Sequence, residues 1–211
     1  MERKRVGICL FTQIEVLDFC GPFEGVEATP LHEENRYDTP SPFEVVLIAE
    51  KSGPVVTTGG MKVVPDHTFA RCPPLDILVV PGGWGTRKEC HNPILLHWLR
   101  ERATAVETLT AVCTGSMLLG AAGLLDGLHV TTHWRSLDRM RESFPAATVV
   151  YDKCFVEDGR LFTSAGTSAG IDRSLKVVAR YFGEAIARAT AKQMEYPYPE
   201  HDARRIRLLL L

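Results

Sequence analysis

Hydrophobic positions along the chain alternate between short continuous runs and stretches with helical spacing. Several runs are apolar at every position, as in strands that are buried on both faces of a sheet. The runs predict strands at residues 5–11, 43–49, 77–80, 108–112 and 130–132. Helical spacing predicts helices at residues 18–29, 93–103, 115–123, 134–142, 168–182 and 184–194. Strands that alternate with helices are typical of an α/β fold with a mostly parallel sheet between helical layers.

Turn residues predict two β-hairpins and one long loop. Residues 53–68 form the first predicted hairpin, with Gly59 and Gly60 at its turn, and residues 148–163 form the second, which turns at Asp158 and Gly159. The polar, proline-rich stretch 30–42 predicts a loop. We expect a single domain over residues 1–196 and a C-terminal tail over 197–211, whose last leucines dock on the protein.

Composition narrows the classes of function. The 211 residues are 45% hydrophobic and 24% charged, with a net charge of -2, which is typical of a globular protein and not of a nucleic-acid binder. No apolar run approaches the ~20 residues that span a bilayer, and the N-terminus lacks the pattern of a signal peptide. We therefore expect a cytoplasmic protein with a small-molecule substrate and with no nucleic-acid or membrane partner.

The spacing of the cysteines predicts that their thiols are free. Six are scattered along the chain without a CxxC pair: Cys9, Cys20, Cys72, Cys90, Cys113 and Cys154. Cys90 and His91 with His97 match no zinc-binding pattern. We expect neither a metal site nor a cofactor.

Cys113 lies where an apolar strand runs into a helix. This strand–turn–helix pattern is the sequence signature of a nucleophile elbow, which exposes its side chain at the carboxyl edge of the sheet. Gly115 keeps the turn uncrowded, and the N–H groups of the following helix favour a thiolate. We therefore predict that Cys113 is the nucleophile and has a depressed pKa. The alternative, a small buried residue at the end of a strand, suits the other five cysteines.

Gly82 and Gly83 follow a second buried strand, at residues 77–80. Glycines there allow the backbone to approach a neighbouring site, and their N–H groups are candidates to hold a developing negative charge, together with the N–H of Thr114. The alternative is an ordinary turn at the end of a strand.

Asp18 follows the first strand, whose end lies at the same sheet edge as the elbow. A carboxyl group beside a thiolate has a raised pKa, so that Asp18 is a candidate to shuttle a proton. The alternative is that Asp18 caps the next helix. Glu15 is the competing carboxylate.

Two more residues lie at strand ends. His133 is a candidate base or substrate contact, although an isolated histidine is more often structural. Thr167 is a candidate pocket contact, although an N-cap role for residues 166–168 explains this segment equally well.

Five segments in this order resemble the ThiJ/PfpI superfamily, and most of all its isocyanide hydratase branch: LDFCGPFE, PGGWG, AVCTGSMLLGAAGLLDG, TTHW and GTSAGID. The resemblance implies a flavodoxin-like three-layer sandwich, similar to class I glutamine amidotransferases, and a homodimer. It also implies that Cys113 and Thr114 act with a protonated carboxyl group at Asp18.

The implied reaction is the addition of water to an isocyanide through a covalent intermediate on Cys113. Thr114 stands where the peptidase-like members have histidine, which argues against a protease. The stretch 27–43 is longer than in the hydratases, which leaves the substrate open. The alternatives are a glyoxalase-like or redox-protective protein and a ligand-sensing module related to AraC-type regulators.

Overall fold

The computed structural model describes residues 2–31 and 39–205. Its strands are β1 (Lys4–Leu10), β2 (Phe43–Ala49), β3 (Val55–Val56), β4 (Lys62–Val63), β5 (His67–Thr68), β6 (Ile77–Val80), β7 (Thr108–Val112), β8 (His129–Val130), β9 (Thr148–Val149), β10 (Phe155–Asp158) and β11 (Leu161–Ser164). Seven of them form one sheet in the order β10-β11-β7-β6-β1-β2-β5. Every neighbouring pair is parallel except β10 and β11. The predicted α/β architecture is confirmed.

Helices cover the sheet. They are α1 (Val16–Glu27), α2 (Thr86–Glu89), α3 (Pro93–Ala105), α4 (Gly115–Ala121), α5 (Leu137–Ser143), α6 (Ala169–Phe182) and α7 (Glu184–Gln193). Helix α1 packs against α6, which also packs against α7, whereas α3 packs against α4. Strands β6 and β7 are buried along their whole length, as their apolar sequences predict.

Close contact between α1 and α6 depends on Gly25. A Cβ atom at this position would lie 2.0 Å from Oγ of Ser174 on α6, so that a larger residue would push the helices apart. Because α1 also carries Asp18, this contact helps to set the position of that carboxyl group.

The short strands differ from the prediction. Only β3 and β4 form the first hairpin, because β5 leaves it and joins the edge of the main sheet, parallel to β2. The second hairpin contains β10 and β11 alone, because β9 pairs in parallel with β8 in a separate two-stranded sheet. The predicted strand 130–132 ends at Val130, because Thr131 and Thr132 use their hydroxyl groups to bind neighbouring segments.

Some expectations concern residues that the structure does not describe. Residues 32–38, within the long stretch 27–43, and the leucines at 208–211 lie outside the described residues. Within the described ranges, no helix is long and apolar enough to cross a membrane.

Candidate active site

The turn after β7 has the geometry of a nucleophile elbow. Cys113 has a φ of 55°, in the left-handed region that residues other than glycine rarely adopt. Its N–H donates to the carbonyl oxygens of Ser164 and Ala165, at 3.0 and 3.2 Å, which holds this conformation. A Cβ atom on Gly115 would lie 2.0 Å from the carbonyl oxygen of Val80, so the turn requires glycine there. The elbow places Cys113 at the carboxyl edge of the sheet with only 7% of its surface exposed.

Asp18 lies in the first turn of α1 and is fully buried. Its Oδ2 accepts a hydrogen bond from the Gly82 N–H at 3.1 Å. The helix begins after Glu15, with no side-chain capping bond, so the interpretation of Asp18 as a helix cap is wrong. Oδ1 has no partner with full hydrogen-bond geometry in the described part of the chain, although the Cys113 thiol and the Thr167 N–H lie close enough to affect the carboxyl. Glu15 is partly exposed.

The glycine loop after β6 holds the site together. The Gly82 N–H donates to Asp18, and the Gly83 N–H donates to Oγ1 of Thr114 at 3.0 Å. A Cβ atom on Gly82 would lie 2.6 Å from the Thr114 nitrogen and 2.9 Å from Oδ2 of Asp18. Because both N–H groups already have acceptors within the protein, they orient Asp18 and Thr114 here instead of forming a free oxyanion hole. The Thr114 N–H faces the Cys113 sulfur.

Burial controls the protonation of this pair. Burial raises the pKa of Asp18 to about 7, although the nearby Cys113 thiol and the N–H groups of Gly82 and Thr167 act in the opposite direction. Burial also raises the pKa of the Cys113 thiol well above its usual range, and the negative charge of an ionised Asp18 raises it further. The Thr114 N–H and hydroxyl lower that pKa, but by less than burial raises it. The prediction of a depressed pKa for Cys113 is therefore wrong.

The two groups nevertheless lie close enough to exchange a proton. Near neutral pH the thiol keeps its proton, and Asp18 lies near the midpoint of its titration. An ionised Asp18 can accept the thiol proton as the sulfur attacks, and can then return it to the reacting group. Such a carboxyl group needs a free oxygen, which Oδ1 supplies.

The structure brings His133 and Thr167 together beside this pair. The His133 ring lies on Gly166, where a Cβ atom would be only 2.3 Å from Cδ2 of the ring. Burial lowers the pKa of His133, and the charges of Arg135 and Arg204 lower it further. Thr167 has a φ of 42°. Ser168 is the N-cap residue of α6, and the carbonyl groups of residues 166–168 accept from the first N–H groups of the helix, although the Ser168 side chain makes no capping bond.

Sequence reasoning missed three arginines near the site. Arg204 and Arg205 lie in the predicted tail, yet with His133 and Thr167 they line a cavity of about 180 Å³. Arg173 on α6 is 1% exposed, and its Nε and Nη2 have no partner among the described residues. Burial lowers the pKa of Arg173 to about 9, although the negative charge of Asp18 acts in the opposite direction. No local sequence pattern marks these arginines, because only the fold brings them to the site.

All six cysteines are free. Cys9 and Cys154 are buried, whereas Cys20, Cys72 and Cys90 are partly exposed. In the part of the chain that the structure describes, no group of three His, Cys, Asp or Glu side chains is arranged to hold a metal ion.

Comparison with known proteins identifies the family of this site. The model of the DJ-1/PfpI family matches residues 4–180. The chain belongs to the DJ-1/PfpI family. Within this family, the chain is 36% identical over 200 residues to isonitrile hydratase from Pseudomonas putida. The alignment covers 94% of this chain and 82% of that protein.

Two further relatives of this DJ-1/PfpI chain differ in kind. A ThiJ/PfpI family protein from Pseudomonas syringae has a structure with a TM-score of 0.82 and 28% identity, covering 95% of this chain and 78% of that one. The HTH-type transcriptional regulator CdhR from Pseudomonas aeruginosa is 35% identical over 164 residues, which are 78% of this chain but 48% of the regulator. The chain thus spans about half the length of that regulator.

The raised pKa of Asp18 predicts a specific pH dependence of stability. A carboxyl group with a pKa of about 7 when folded and about 4 when unfolded binds its proton more tightly in the folded protein. Its stabilising contribution is complete below pH ~4 and is lost as the pH rises through ~7, with a slope approaching 1.4 kcal/mol per pH unit. The free energy of unfolding, measured with urea at pH 5 and pH 7, should therefore fall less in Asp18→Asn than in the wild type. Parallel decreases in the two proteins would show that Asp18 has no raised pKa.

Proposed function

We propose that this protein is a cysteine-dependent hydratase that adds water to a small isocyanide and releases an N-substituted formamide. The observation that carries this proposal is the buried Asp18 beside the Cys113 thiol, with a pKa of about 7 and with Oδ1 free. The similarity to isonitrile hydratase over 94% of the chain supports the same reaction class.

In the first step, the Cys113 sulfur attacks the terminal carbon of the isocyanide. Asp18 accepts the thiol proton and delivers it to the same carbon. The carbon gains one bond to sulfur and one to hydrogen, which gives a thioimidate, R–N=CH–S–Cys113. No oxidant or reductant is required, because the carbon lone pair of the isocyanide forms the new C–H bond.

In the second step, water adds to the thioimidate carbon. Asp18 takes a proton from this water and passes it to the nitrogen, so that a tetrahedral adduct forms with bonds to oxygen and sulfur. The C–S bond then breaks, the formamide R–NH–CHO leaves, and the hydroxyl proton returns through Asp18 to the sulfur. The N–H and hydroxyl of Thr114 stabilise the leaving thiolate.

The direct test is turnover of a small aryl isocyanide by the purified protein. Loss of the isocyanide infrared band and formation of the formamide, followed by NMR, should proceed with many turnovers per chain. Absence of the formamide at any enzyme concentration would overturn the proposed function.

The similarity to CdhR supports a second candidate function, which is ligand sensing. A sensing module should bind its ligand saturably without turnover, and Cys113→Ala should leave that binding unchanged. A hydratase should release product, and the same variant should stop it.

We also propose that the protein forms a homodimer. Large apolar side chains are exposed on α1, on the first hairpin and after β6: Leu17, Val56, Met61, Val64 and Trp84. The Gln13 N–H donates to the carbonyl of Val56, and the Gln13 carbonyl accepts from the Gly85 N–H, so these segments are neighbours. We take their exposed apolar side chains as the dimer face.

Sedimentation should therefore give twice the chain mass of 23.4 kDa. Met61→Glu should shift the protein towards the monomer, because it places a charge on this face. Ile94→Glu is the matched control, since Ile94 is an exposed apolar residue on α3. A monomeric wild-type protein would overturn the proposed dimer.

A further inference from the structure

A polar cavity of about 180 Å³ is lined by Ala165 and Thr167, which are also in contact with the Cys113–Asp18 pair. We call it the arginine cavity, and its polar lining consists of His133, Thr167, Ser168, Arg204 and Arg205, with Trp134 at its wall. No Asp or Glu side chain lines it within the described ranges.

The segments that form the arginine cavity also hold the nucleophile. The N–H of Cys113 donates to the carbonyl of Ala165, and Oγ1 of Thr132 donates to the carbonyl of Cys113 at 2.8 Å. Thr167 both lines the cavity and places its N–H near Asp18. Thr167 thus connects the arginine cavity to the Cys113–Asp18 pair.

Among the described residues, Arg204 supplies a positive charge without an ion-pair partner. Its Nε donates to the carbonyl of Tyr151 at 2.8 Å, and its Nη2 donates to Oγ1 of Thr131 and to the carbonyl of Thr132, at 2.9 and 3.2 Å. All three acceptors are neutral. In the described part of the chain, Nη1 has no hydrogen-bond partner and no carboxylate lies within ion-pair distance of Arg204.

The other polar groups of the cavity are also donors. Nδ1 of His133 accepts the Arg135 N–H at 3.3 Å, so a neutral His133 ring carries its hydrogen on Nε2. The hydroxyl groups of Thr167 and Ser168 make no hydrogen bond within the protein as described. Arg205 differs from Arg204, because Asp172 binds its Nη2 at 2.5 Å and balances its charge.

We infer that the arginine cavity binds a carboxylate, and that the substrates are small isocyanides that carry a carboxylate close to the isocyanide group. The isocyanide group in this inference rests on the proposed function, whereas the carboxylate does not. A set of hydrogen-bond donors around one unpaired guanidinium, with no acid among them, complements an anion. The volume suits a carboxylate on a short carbon chain.

The first experiment compares isocyanoacetate with its neutral methyl ester. We expect kcat/KM at least 10-fold higher for the carboxylate, mainly through KM. In Arg204→Gln this preference should vanish, with the ester changed less than 3-fold, and Arg204→Lys should restore part of it. Arg188→Gln is the matched control, because Arg188 is an exposed arginine paired with Glu200. Equal turnover of acid and ester by the wild type would overturn the inference while the hydratase function stands.

The second experiment measures binding without turnover. Titration calorimetry of Cys113→Ala should show binding of N-formylglycine that is at least 10-fold tighter than binding of N-formylglycine amide, and Arg204→Gln in the same background should remove the difference. The same binding result, together with no isocyanide turnover by the wild-type protein, would support the carboxylate site and overturn the hydratase. Equal affinities for the acid and the amide, or binding of inorganic phosphate in place of N-formylglycine, would overturn the carboxylate site.

Discussion

Replacing Cys113 with alanine should lower kcat/KM for a small aryl isocyanide by on the order of 10⁴-fold or more, as expected for loss of a nucleophile. In the proposed mechanism the sulfur forms the bond that makes the thioimidate, and neither Asp18 nor Thr114 can replace it. The measurement is the rate of formamide formation, with thermal unfolding as a check on the fold. Acid quenching of the wild type during turnover should also show the mass of the chain plus one substrate.

Cys20→Ala is the control for this substitution. Cys20 is a partly exposed thiol on α1, two residues from Asp18, so its loss tests for a general effect of removing a thiol near the site. We expect its kcat/KM to stay within about 3-fold of the wild-type value, consistent with a surface substitution. Substantial turnover by Cys113→Ala, or a covalent adduct on Cys20, would refute the assignment of the nucleophile.

Replacing Asp18 with asparagine should lower kcat by about 10²–10⁴-fold, the usual contribution of a general acid or base. The amide has nearly the same shape, and its oxygen can still accept the Gly82 N–H, but it cannot move a proton between sulfur, carbon and water. The wild-type rate should change with an apparent pKa near 7, which belongs to the coupled pair, and the residual rate of Asp18→Asn should lack this change.

Glu15→Gln tests which of the two carboxyl groups, Asp18 or Glu15, transfers protons in the reaction. The Glu15 side chain is partly exposed, and its negative charge raises the pKa of Asp18. Its substitution should therefore leave kcat within about 3-fold and shift the apparent pKa of the wild type downwards, because one nearby negative charge is removed. Full activity in Asp18→Asn together with a large loss in Glu15→Gln would make Glu15 the working carboxyl.

The protonation of Cys113 shows how local and tertiary effects compete. The turn and the start of α4 do lower the pKa of the thiol, through the Thr114 N–H and hydroxyl, as the elbow pattern predicts. Burial and the charge of Asp18 outweigh them, because a thiolate loses its hydration in a site with almost no exposed surface. In the proposed mechanism, Cys113 is therefore activated by transfer of its proton to Asp18 during attack, and not by permanent ionisation.

The sequence by itself determined the parts of this protein that depend on neighbouring residues. Continuous apolar runs predict β6 and β7 because both faces of these strands are buried, and the strand–Cys113–Gly115 pattern predicts the elbow because only glycine can approach the Val80 carbonyl. The family resemblance singled out Asp18, whereas the residues alone left Glu15 and a capping role open.

Only the tertiary structure decided which groups meet and which remain exposed to water. In the folded chain the Gly82 N–H donates to Asp18 and the Gly83 N–H donates to Thr114. Burial raises the pKa values of Asp18 and Cys113. The tertiary structure also brought Arg204 to Thr132, 72 positions earlier in the chain. Hydrogen-bond partners and desolvation depend on contacts between distant segments, and the spacing of residues along the chain contains no information on them.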